Sequence, residues 1–135
     1  MPTWTGYFSN SGSPALKVRI GGVFPDTEQE FETIIDTGFT GFLSLPLLSA
    51  FPLALVLFGT TSVILADGSV QPKLTAWGFV KVGEEKKFGV IVLESSSTEV
   101  LIGMELLKTF GKELQVCSDP AKVLLIDAVP PAPTA

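Results

Sequence analysis

An aspartate at the end of an apolar strand is the first feature of this 135-residue sequence that suggests chemistry. Two isoleucines lead directly into Asp36, and the turn-forming residues Thr37 and Gly38 follow it. The charge of a carboxylate in such a place must be met by backbone N–H groups and a hydroxyl, or else its pKa rises. A plainer alternative is a turn residue whose carboxylate caps Gly38 or Thr40.

The composition excludes several kinds of catalysis and binding in which such a carboxylate could take part. The chain has no histidine, which excludes Ser-His-Asp and Cys-His catalysis and every histidine-ligated metal site. Its one cysteine, Cys117, cannot close an intrachain disulfide or build a cysteine-rich metal cage, so we expect a buried free thiol in a reducing compartment. With 14 acidic against 9 basic residues and no long basic run, the chain is not expected to bind nucleic acid.

The uncharged apolar stretch at residues 42–58 is the one candidate for membrane association. Two prolines interrupt it and it is shorter than the roughly 20 residues of a spanning helix, so we expect no membrane span. We predict instead a strand end, a short helix beginning near Pro46 and a second strand, facing the core or a partner chain. Attachment to a membrane surface through this stretch is an alternative. The N-terminal residues lack the pattern of a signal peptide, so we expect a cytoplasmic protein.

Period-two alternation of apolar and polar residues predicts a mostly β chain built as a series of hairpins. The predicted strand pairs are 4–8 with 16–20, 62–65 with 70–74, 79–82 with 88–93, and 113–117 with 123–126. The segment Gly103 to Phe110 predicts one short C-terminal helix, which stops at Gly111. The chain is predicted to be one domain over residues 1–128, followed by a Pro-rich, disordered tail at 129–135.

Three motifs, and their order along the chain, make the sequence resemble the retropepsin-like aspartic proteases. Residues 31–45 look like the family's catalytic loop, in which apolar residues precede Asp-Thr-Gly and an apolar strand follows. Residues 100–107 resemble its second conserved element, and the 62–74 hairpin lies where the family carries its flap. The resemblance covers about residues 4–127. It implies a single acid-protease lobe, a closed β-barrel with one short C-terminal helix.

The resemblance assigns roles to the residues of the catalytic loop. Asp36 is the catalytic carboxylate, Thr37 bonds to its counterpart at the base of the site, and Gly38 lets substrate and water approach the backbone. Phe39 departs from the family, which usually has Ala, Ser or Thr there. A hydroxyl at that position can lower the pKa of the carboxylate, whereas Phe cannot and Thr40 comes one residue late. This predicts a less acidic optimum than that of pepsin-like enzymes, and a large ring that could fill a substrate subsite.

The other assigned residues belong to the flap and to a loop beneath the site. The flap tip is assigned to Ala66, Asp67, Gly68 and Ser69, with residues 59–61 as a rival and an ordinary exposed hairpin turn as the alternative. The structural loop that crosses beneath the catalytic loop is assigned to Leu101, Ile102 and Gly103.

The chain has a single Asp-Thr-Gly motif, so a second catalytic aspartate would have to come from another chain. Aspartic proteolysis uses two carboxylates that share one proton, so the resemblance implies a C2 homodimer with Asp36 of each chain on the axis. It further implies a peptide or protein substrate and no metal or organic cofactor. The main alternative is a catalytically silent module of the same fold that dimerises or binds peptides. Phe39 favours that alternative, and the intact Asp36-Thr37-Gly38 argues against it.

Overall fold

The structure, a computed structural model, describes residues 3–64 and 66–129. The described strands are β1 (Trp4–Thr5), β2 (Tyr7–Phe8), β3 (Pro14–Gly21), β4 (Gln29–Ile35), β5 (Leu43–Pro46), β6 (Val56–Ile64), β7 (Val70–Val82), β8 (Glu85–Glu94), β9 (Val100–Ile102), β10 (Lys112–Ser118) and β11 (Ala121–Asp127). The helices are α1 (Leu47–Ala50), a 3₁₀ turn (Phe51–Leu53) and α2 (Met104–Phe110). The last six residues of the predicted tail lie outside the described part of the chain.

The strands form one large sheet and one small sheet. The large sheet has eight strands in the order β2-β3-β4-β9-β5-β8-β7-β6, and the small one has the order β1-β11-β10. β3 also pairs with β7, with Ile20 opposite Val80, so the large sheet curves back on itself. The prediction of a mostly β fold is confirmed. We describe the large sheet by these pairings rather than as a closed barrel.

The predicted first hairpin forms, but its first strand is divided at Gly6. β1 joins β11 in the small sheet, whereas β2 joins β3 in the large one. A Cβ on Gly6 would overlap the carbonyl oxygen of Ala15, and the Gly6 N–H donates to the carbonyl of Val123 at 2.9 Å. A residue without a side chain therefore lets the chain cross from one sheet to the other.

The uncharged stretch at 42–58 folds as predicted into a strand end, a short helix and a second strand. β5 ends at Pro46, α1 and the 3₁₀ turn follow, and β6 begins at Val56. β6 pairs along its length with residues 70–77 of β7, so the predicted 62–74 hairpin is longer than expected. No helix within residues 3–64 and 66–129 is long and apolar enough to cross a membrane.

The core is formed by the large sheet, α2 and the small sheet, which contributes Trp4, Val123 and Leu125. Alternating residues of β3 face it, and α2 contributes Leu106, Leu107 and Phe110 before ending at Gly111, whose φ of 64° is left-handed as the predicted stop requires. The predicted burial of Cys117 is wrong, because its thiol is exposed. The end of the β10–β11 hairpin extends beyond the core, and residues 115–118 are exposed on both faces.

Candidate active site

Asp36 lies at the end of β4, next to the middle strands of the large sheet. β4 runs parallel to β9, with Ile35 opposite Ile102, and the Asp36 N–H extends this ladder by donating to the carbonyl of Ile102 at 2.9 Å. β4 is paired with β3 on its other edge. Because β4 is paired on both edges, with β3 and with β9, the half-buried Asp36 carboxylate projects from a fixed backbone position.

A tight turn directly follows the aspartate. The Gly38 N–H donates to Oδ1 of Asp36 at 2.9 Å, and the Phe39 N–H donates to the Asp36 carbonyl at 3.1 Å. The first of these bonds is the cap that the turn-residue alternative predicted, and it also orients the carboxylate as a catalytic loop would. The Thr37 side chain is exposed, and within the described residues its hydroxyl makes no hydrogen bond.

The beginning of α2 lies against the same loop. The Met104 N–H donates to the Phe39 carbonyl at 2.8 Å, and the Glu105 N–H donates to the Gly41 carbonyl at 3.1 Å. The first N–H groups of a helix have no partner within it, so these carbonyls satisfy them. Residues 101–103 are therefore brought against the Asp36 loop, although they are far from it in sequence.

Gly103 occupies the closest part of this contact. A Cβ on Gly103 would overlap the carbonyl oxygen of Gly41 and would lie 2.6 Å from Cδ2 of Phe39. Its backbone, with φ −106° and ψ −179°, is accessible to any residue, so lack of space rather than conformation requires glycine.

The half-buried Phe39 ring packs against both of these glycines. A Cβ on Gly41 would lie 2.6 Å from Cζ of the ring. The ring thus contributes to the contact between the Asp36 loop and the start of α2. Its role toward a substrate stays a prediction.

The predicted flap tip joins β6 to β7. Oδ1 of Asp67 accepts hydrogen bonds from the Ser69 hydroxyl at 2.6 Å and from its N–H at 2.9 Å, which lowers the pKa of Asp67. Gly68 has a φ of 86°, and residues 66–69 are all exposed. The rival segment at 59–61 lies inside β6 and is paired with β7. Among the described residues, the hydrogen bonds of the tip side chains do not reach the Asp36 loop.

A cavity of about 420 Å³ opens beside the Asp36 loop. Its lining includes Thr40, Gly41 and Phe42 of the loop, Thr61 of β6, Thr75 and Trp77 of β7, Phe88 of β8, and Glu105 and Thr109 of α2. The sequence did not identify Trp77, Phe88 or Glu105 as site residues, since no local pattern places them beside Asp36. In the described part of the chain, no group of three His, Cys, Asp or Glu side chains could hold a metal ion.

Comparison with solved structures defines the fold. The chain is similar to the crystal structure of a retropepsin-like aspartic protease from Rickettsia conorii, with a TM-score of 0.62 and 17% sequence identity over 92% of this chain and 90% of that one. The sequence matches no family model, and no curated protein matches it. The chain therefore has a retropepsin-like fold, with Asp-Thr-Gly at the end of β4.

Proposed function

We propose that the protein is an aspartic endopeptidase that acts as a C2 homodimer, with Asp36 of each chain at the axis. The observation that carries the proposal is the Asp36 turn itself. Within a retropepsin-like fold, this turn is anchored to β9 and to the beginning of α2. An aspartate held in this way at a strand end is suited to meet a symmetric copy of itself.

In the proposed mechanism, the two Asp36 carboxylates share one proton. The ionised carboxylate takes a proton from a water molecule, which attacks the scissile carbonyl, while the protonated carboxylate donates to the carbonyl oxygen. The exposed Thr37 hydroxyl is available to bond to its counterpart in the second chain. The peptide lies as an extended strand between the 66–69 flap tips and the Asp36 turns, with apolar side chains at the cleaved bond.

The proposal also includes the extent of the protease domain, its barrel and its cellular location. Residues 1–128 would form the protease domain, and the pairing of β3 with β7 supports a barrel that closes at that seam. The single free Cys117 supports a reducing, cytoplasmic location.

The first test is mass-spectrometric digestion of a diverse peptide pool between about pH 3 and pH 7, the range over which such a dyad titrates. We expect the wild type to cleave with a single optimum in this range and Asp36→Asn to lose cleavage by at least about 10³-fold. Asp26→Asn is the matched control. Asp26 is exposed, and asparagine tolerates its positive φ of 65°, so activity should be kept.

A catalytically silent dimerisation or peptide-binding module is the second candidate, and Phe39 favours it. The position that can lower the pKa of the aspartate with a hydroxyl holds a ring packed against Gly41 and Gly103. A folded, dimeric wild type that cleaves nothing in the pool would contradict the peptidase and support this candidate.

A further inference from the structure

The cavity beside the catalytic loop lies within a few peptide residues of Asp36. The hydrogen bond from the Phe39 N–H to the Asp36 carbonyl closes a turn, so the Cα atoms of these two residues lie within about 7 Å. Thr40, which lines the cavity, is one residue farther and so lies within about 11 Å of Asp36. An extended peptide covers that distance in about three residues.

One wall of the cavity is aromatic. Trp77 and Phe88 stand next to each other on β7 and β8, with ring centroids 6.2 Å apart and planes inclined by 14°. Both rings are more than one third exposed, and a third ring, Phe58, stacks on Trp77 at 5.9 Å. Aromatic faces of this kind accept a long aliphatic stem and attract a cation.

Among the described residues, Glu105 is the only charged side chain that lines the cavity. Its N–H is bound to the catalytic loop, whereas its carboxylate makes no hydrogen bond or ion pair within residues 3–64 and 66–129. The other polar side chains named in the lining are Trp77, through its indole N–H, and four threonines. Two of the threonine hydroxyls already donate, that of Thr75 to the Gly59 carbonyl at 3.0 Å and that of Thr109 to the Glu105 carbonyl at 2.8 Å. A cavity that is lined by one carboxylate and two exposed rings fits a side chain that has an apolar stem and a positive end.

We propose that this cavity is a specificity subsite for a lysine or arginine side chain of the substrate, located within about three residues of the cleaved bond. The inference rests on the proposed peptidase function. Glu105 is the specificity-determining residue: its carboxylate meets the cation, while Trp77 and Phe88 cover the stem. An acidic side chain is rejected by repulsion, and an uncharged one gains only the aromatic contact.

The test compares peptides that carry lysine or norleucine at single positions up to three residues on either side of the cleaved bond. For the wild type we expect kcat/KM to favour lysine by about fivefold at one such position, mainly through KM, with the preference falling as salt is raised. In Glu105→Gln the ratio should fall to about one, and in Glu105→Lys it should invert. Glu113→Gln is the matched control, since Glu113 is an exposed carboxylate on β10 and should leave the ratio as it is.

Failure of the subsite and failure of the peptidase give different results. If the wild type cleaves the peptides but shows the same lysine-to-norleucine ratio as Glu105→Gln, the subsite is overturned and the peptidase stands. If neither peptide is cleaved, the peptidase proposal fails. Binding of the same peptide pairs to the inactive wild type is then measured by tryptophan fluorescence. The Trp77→Phe variant shows whether the signal comes from Trp77. Tighter binding of the lysine peptides that Glu105→Gln abolishes would support the subsite, and equal binding would overturn it.

Discussion

Asp36 and the groups around it are held almost entirely by backbone hydrogen bonds. Its own N–H and carbonyl are both bound, and the next carbonyls in the loop accept from the first N–H groups of α2. Because backbone groups make these bonds, the side chains of the loop can vary, provided that none of them separates the Asp36 loop from α2. This explains how a residue as large as Phe39 fits into the motif: its ring packs where the glycines leave room.

The first residue-scale prediction concerns Gly103. In Gly103→Ala the new Cβ must push the Gly41 carbonyl away, so we expect a loss of about 2–3 kcal/mol in the free energy of unfolding and a large loss of peptidase activity. Urea unfolding measures the first and the peptide assay the second.

Gly12→Ala is the control for the Gly103 prediction. Gly12 has a φ of 85° and open space around it, so only backbone strain of about 1 kcal/mol is expected there. If Gly103→Ala were no more destabilising than Gly12→Ala, the close packing of the two loops would be disproved.

Among the elements, the short strand β2 pairs with β3 and also makes a long-range side-chain hydrogen bond to β4. The Tyr7 hydroxyl donates to Oε2 of Glu32 on β4 at 2.7 Å, across the intervening strand β3. Burial, this hydrogen bond and the nearby negative charges of Glu32 and Glu30 raise the pKa of Tyr7 to about 12. The contact ties the N-terminal segment to the strand that ends at Asp36.

This contact gives an element-scale prediction that absorbance can measure directly, since Tyr7 is the single tyrosine of the chain. The folded pKa is raised, so the stabilisation from this contact is complete below pH 10 and is lost as the pH rises from about 10 to about 12. Ultraviolet titration should show a midpoint near 12 in the wild type and a lower one in Glu32→Gln. Glu30→Gln should cause a smaller shift, because Glu30 acts only through its charge. Equal midpoints in wild type and Glu32→Gln would refute the contact.

At the scale of the whole molecule, the proposed reaction uses two aspartates, and a single lobe contributes one of them. If the active species is the proposed homodimer, each site depends on both chains. Exposed apolar side chains are numerous on this lobe, among them Leu48, Phe51, Leu57, Phe58 and Ile64. Such surfaces are typical of proteins that associate.

Mixing wild type with Asp36→Asn tests this dependence. After equal amounts are allowed to exchange, about half of the wild-type chains pair with a mutant chain, so activity per wild-type chain should fall to about one half. Mixing with Asp26→Asn should cause no fall, and sedimentation should show a species of twice the chain mass in every sample. Unchanged activity in the first mixture would mean that each chain works alone.

The sequence by itself determined the local features: the strand that ends at Asp36, the turn bond to Gly38, the hairpin around Asp67 and Gly68, and the helix that stops at Gly111. These depend on side-chain periodicity, on turn residues and on positive φ, which act over a few neighbouring positions.

Only the tertiary structure decided which distant segments meet. The pairing of β4 with β9, the packing of Phe39 against Gly41 and Gly103, the exposure of Cys117 and the presence of Glu105 and Trp77 in one cavity all depend on how distant segments pack together. The physical reason is that no local propensity encodes the space left between two segments. That space is defined only when both segments are packed on the same core.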